Sequence, residues 1–157
     1  EKSFGINKTI GDLAGPMAFA ILMGSSRAFY GKFGDKINLE RFMQYSAVLC
    51  MVSYLMIAFI PVPALGILGC AVCGLSVGIM WPGTFSMAAA SVKRGGTALF
   101  ALLALAGDVG CSSGPTYVGM ISGALNDNLK LGIFAALIFP VLMIMGIKMI
   151  GSLQKYD

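Results

Sequence analysis

FMQYSAVLCMVSYLMIAFIPVPALGILGCAVCGLSVGIMWPGTFSMAAASV, residues Phe42–Val92, contains no charged side chain. The stretch is too long for one buried core helix. A helix needs about 20 apolar residues to cross a hydrocarbon layer of about 30 Å, so two crossings fit here. Pro61-Val62-Pro63 marks the division, because proline cannot continue a helix interior. The solvent for this chain is therefore lipid.

Composition agrees. Hydrophobic residues make up 57% of the 157 and charged residues 11%, against about 25% charged in an average soluble domain. The net charge of +4 is no sign of nucleic-acid binding, since the basic residues gather at span ends and not on one face. The start, Glu1-Lys2-Ser3, is polar and lacks both an initiator Met and the pattern of a signal peptide. The expectation is a part of a longer chain.

Five spans are expected, at 12–30, 42–60, 64–90, 98–123 and 131–150. The fold class is all-α, a polytopic transmembrane bundle forming one domain over 1–157. The third and fourth spans exceed the minimum length and should tilt. Pro82 in the third and Pro115 in the fourth each delete a helix hydrogen bond and should bend the axis. Short connections make consecutive spans antiparallel. One membrane face then holds Arg27, Lys32, Lys36, Arg41, Lys93, Arg94, Lys148 and Lys155, and the other Lys2, Lys8 and Lys130. Basic residues mark the cytoplasmic side, which places the start of the chain outside and its end inside, in a multi-pass protein of the plasma (inner) membrane.

The loop after the first span reads Gly31-Lys32-Phe33-Gly34-Asp35-Lys36-Ile37-Asn38-Leu39-Glu40-Arg41. It resembles the loop signature of the major facilitator superfamily. Gly31, Asp35 and Lys36 match it. Asn38 stands where a second glycine is expected, and Leu39-Glu40 replace a basic pair. In the fourth span, Gly110, Gly114-Pro115 and Gly119 are similar to a Gly-Pro motif that bends cavity-lining helices in some members. Gly78-Ile79-Met80-Trp81-Pro82 and Gly107-Asp108 look most like the sugar-permease branch, fucose permeases included.

The resemblance implies a secondary transporter built from two six-helix halves. This chain would be the eighth to twelfth helices, its N-terminal half lying elsewhere. The first, third and fourth spans would line a midplane cavity, the second and fifth bracing them from the lipid side. Gln44, Tyr45 and Tyr54 of the second span would then lie away from the cavity. Asp35 would pair across the halves, making Gly31, Asp35, Lys36 and nearby Arg27 a gating loop. Arg27 can also snorkel to the interface or pair with Asp35 or Glu40.

Asp108 is the first candidate for chemistry. A carboxylate at the bilayer centre costs about 2.5–3.5 kcal/mol and normally faces the bundle interior or water. It would bind a substrate hydroxyl or carry a coupling proton; the alternative is a packing role, bonded to a neighbouring Ser, Tyr or broken-helix amide. Helical spacing sets Ser112 on the Asp108 side, followed by Thr116, while Gly107, Cys111 and Gly114 form an adjacent small-residue stripe suited to close helix contact. Trp81, the only Trp, could stack on an apolar sugar face or fill the Pro82 bend, with Thr84 just beyond it.

Cys70-x-x-Cys73 is not read as a metal or redox site. Zinc needs about four ligands, and the chain has no His. Cys50 and Cys111 are read as fillers, and Gly95-Gly96 as a turn, with no GK[ST] following to make a phosphate loop. No cofactor or metal is expected. An enzyme is disfavoured by the absence of His, of paired carboxylates and of a nucleophile–base arrangement. The function expected is alternating-access symport of a small neutral solute, such as a sugar, with protons. The other reading is a membrane subunit that only packs against a partner.

Overall fold

The computed structural model describes residues 8–60, 62–92 and 95–153. They form seven α-helices: α1 (Lys8–Phe33), α2 (Leu39–Phe59), α3 (Pro63–Val77), α4 (Met80–Ser91), α5 (Gly96–Ala124), α6 (Leu129–Ala135) and α7 (Ile138–Leu153). A single 3-10 turn, Gly34–Lys36, follows α1. There is no strand among the described residues.

Helices occupy all five expected positions, two of them broken. The third is α3 plus α4, interrupted at Gly78–Ile79, and the fifth is α6 plus α7, interrupted at Ala136–Leu137. Both breaks have one cause. Proline lacks the N–H that would bond the carbonyl four residues back, and Pro82 and Pro140 stand four residues after Gly78 and Ala136. Pro140 went unused in reading the sequence. At Pro115 the helix is not interrupted, and α5 runs 29 residues through it.

Four of these units are long and apolar enough to cross a membrane: Leu39–Phe59, Ala64–Ser91, Gly96–Ala124 and Leu129–Ser152. The 26-residue α1 has the length but is diluted by Gly15-Pro16, Gly24-Ser25-Ser26 and Arg27. On α2, buried Met43, Ala47 and Cys50 pack inward while Tyr45, Val48, Val52, Leu55 and Phe59 stay exposed on the opposite side. A helix apolar on both faces belongs in lipid.

Helix ends are capped by the side chains at hand. Asn38 Oδ1 accepts from the Arg41 amide at 3.0 Å, and Asn128 does the same for the Leu131 amide at 3.4 Å, each supplying an acceptor to a first-turn N–H. Proline opens α3, where its missing donor costs nothing. Gly96 begins α5 at φ +51°, a left-handed conformation open to glycine, with Gly95 as the N-cap.

The bundle is organised around α2, which touches α3, α4, α6 and α7. Met43 of α2, Met87 of α4 and Ile147 of α7 form a buried cluster, with Leu39, Met143 and Ile150 against it. The helix α1 packs chiefly on α3. There its backbone lies so close that a Cβ on Gly74 would collide with the Phe19 carbonyl, and one on Gly78 would sit 2.8 Å from Met23 O. Small residues permit such approach in membranes. The helix α5 touches α6 and, less, α4, and none of its residues is buried.

Candidate functional site

The open side of α5 carries a polar stripe. Asp108, Ser112 and Thr116 recur every fourth residue and so share one helix face. With Val109, Ser113, Tyr117 and Met120 they line a trough of about 650 Å³. Ser112 Oγ donates to Asp108 O at 3.0 Å, and Thr116 Oγ1 to Ser112 O at 2.8 Å. Both hydroxyl protons are thereby committed to the helix backbone. What the stripe offers outward is a carboxylate and hydroxyl lone pairs, an acceptor-rich surface. Tyr117 is steadied from α7, its ring set edge-on to Phe139 at 5.6 Å.

Trp81 and Thr84 do not join this stripe. Trp81 is 46% exposed and packs on Phe85 at 4.7 Å, which stacks on Phe100 of α5 at 5.7 Å. Its ring edge presses on Gly107, where a Cβ would collide with it. The indole therefore seats α4 on α5, one face away from Asp108. Thr84 Oγ1 donates to Met80 O at 2.7 Å within α4. Of the small-residue stripe, Gly107 meets Trp81, while Cys111 is exposed and Gly114 has nothing within 4 Å of a Cβ. The tight glycine contact is instead at Gly74 and Gly78. The Gly74-x-x-x-Gly78 spacing was the signal for it.

At the loop, Gly31 in the last turn of α1 has nothing within 4 Å of a Cβ, whereas Gly34 is held against the Tyr30 ring, 3.1 Å from a Cβ placed there. Lys36 is exposed, and the Asp35 side chain lies outside the described residues. Arg27 reaches back to the α3–α4 break. Its Nε donates to Gly78 O, at the α3–α4 break, at 3.0 Å, and Glu40 Oε1 accepts from Gln44 at 3.2 Å. No cluster of three or more His, Cys, Asp or Glu able to hold a metal occurs among the described residues.

A family model described as Major Facilitator Superfamily matches residues 1–115. The chain belongs to the Major Facilitator Superfamily. Comparison with curated proteins gives no match, nor does comparison with solved structures. The superfamily is one of membrane transporters, not enzymes. The matched residues run from the start of the chain to Pro115, taking in the loop, the α3–α4 break and Asp108. This facilitator is a multi-pass membrane protein, with a lipid bilayer around it and a small solute as its cargo.

Proposed function

We propose that this facilitator is a secondary active transporter in which the Asp108–Ser112–Thr116 stripe of α5 lines a central, water-accessible cavity. One observation carries the reading. The stripe holds an acid and two hydroxyls within a span, yet no helix among the described residues covers it. Acyl chains cannot solvate a carboxylate, so such a face turns to water or to other protein. A facing N-terminal half supplies that cover, with α5 among the helices of the C-terminal half, the eighth to twelfth of the whole.

The acceptor-rich surface favours a solute that brings donors, such as a neutral polyhydroxylated molecule of the sugar type. No basic side chain lines the trough to hold an anion. Asp108 takes either a solute hydroxyl or the coupling proton, and one half rocks over the other around the site. The basic side chains at the α1–α2 end set that end in the cytoplasm of a plasma-membrane protein. Asp35 with Gly31 and Lys36 acts as a latch between the halves.

The test is uptake of a sugar panel by the full-length protein in vesicles, at two external pH values, with and without Asp108→Asn. Loss of the pH-driven component, or a tenfold or greater fall in uptake, is expected. Unchanged uptake and pH response in Asp108→Asn would remove the basis for this site.

A further inference from the structure

The carbonyl of Gly78 loses its helical donor because Pro82 has no N–H. Within a membrane no water stands ready to replace that donor, so the freed acceptor must be satisfied by protein. The two proline breaks meet this need differently. At Pro140 the main chain turns back on itself, and the Phe139 amide donates to Ala136 O at 3.1 Å. At Pro82 the donor comes from another helix, Arg27 Nε reaching Gly78 O at 3.0 Å.

We infer that Arg27 is a positioning residue that pins the α3–α4 break, its guanidinium standing in for the amide proton Pro82 lacks. The pin depends on the seat beside it. Gly74 admits the α1 backbone at Phe19, and Gly78 admits the Met23 carbonyl and the Ser26 side chain. Those contacts bring the next residue of α1, Arg27, within reach of the Gly78 carbonyl. The bond is a charge-assisted one in a part-buried place, which makes it stronger than a neutral pair. It joins α1 to the point where α3 hands over to α4. Through Trp81 on Gly107, the set of α4 then fixes α5. Arg27 thus acts on the α5 stripe at a distance, by holding the angle of the break, and touches no solute.

A double-mutant cycle tests this on the whole protein purified in detergent. Arg27→Met should lower Tm by about 3–6 °C, the loss of one hydrogen bond to a charged group. Pro82→Ala restores an amide at the right position, so Arg27→Met made in that background should cost less than about 1 °C, a clear departure from additivity. Pro82→Gly restores the same amide and serves if the alanine variant does not fold. Equal losses with proline and with a restored amide would overturn the pin, because Arg27 would then act through charge or packing alone. Arg27→Lys, with charge kept and the planar fork lost, should fall between. Where uptake is measurable, Arg27→Met should lower the maximal rate at least threefold and leave half-saturation within twofold, with recovery in the double variant. That clause rests on the transport reading. A protein that moves no solute in the panel would sink that reading while the melting cycle still decides the pin.

Discussion

Asn38 occupies the place where the loop signature has glycine, and its side chain does what glycine cannot. Its Oδ1 closes the first turn of α2 by accepting from the Arg41 amide. Asn38→Ala should cost about 1 kcal/mol of stability, and Asn38→Gly, which restores the signature, only a few tenths. Thermal melts of the two variants against the parent check the order. A departure from a motif here has a local structural reason. The site shows a matching limit. Asp108, Ser112 and Thr116 were legible because a period of four along one helix is written in the sequence itself. Trp81 was placed near them because it too lies in a bent, polar segment, but which face of α4 meets which face of α5 is a tertiary fact. Arg27 was read as loop machinery for the same reason. Its partner is 51 residues away, and only the crossing of α1 over α3 reveals it.

At the scale of elements, the apolar runs gave each span to within a few residues, since helix length follows bilayer thickness. Breaks were harder. Pro82 acts at Gly78 rather than at its own position, and Pro140 does the same at Ala136, because a missing N–H is felt by the carbonyl one turn earlier. Glycine is similarly uneven in meaning. Gly24 of α1 has open space around it, whereas Gly74 of α3 lies against the Phe19 carbonyl. Gly24→Ala should be neutral or stabilising by up to about 1 kcal/mol, from helix propensity alone. Gly74→Ala must push α1 off α3 and should cost about 1–3 kcal/mol, the usual range for overpacking. Melting curves of the two variants read the difference directly. Matching Tm values would mean that α1 does not lie on α3 as closely as the backbone contact indicates.

For the whole molecule, the question is which solvent each open face meets. Two kinds of exposed surface exist. The α7 residues Ile138, Leu142, Met145 and Met149 form an exposed apolar strip, and lipid satisfies it without further protein. The α5 trough is exposed as well, but it is lined by Asp108, Ser112, Ser113 and Thr116, which acyl chains cannot satisfy. If the trough lines a cavity, hydrophilic thiol reagents should separate the two faces. In the whole protein, with its native cysteines replaced, Ser112→Cys and Thr116→Cys should react with a charged methanethiosulfonate in intact membranes. Leu142→Cys and Met145→Cys should remain unmodified under the same conditions, since a thiol in hydrocarbon stays protonated and out of reach of a charged reagent. A transported solute should slow labelling of Ser112→Cys, by crowding the trough, and leave the α7 cysteines unmodified as before. Equal inertness of all four thiols would place the α5 stripe against packed protein rather than water, and the solute path would then have to run along another face of the bundle.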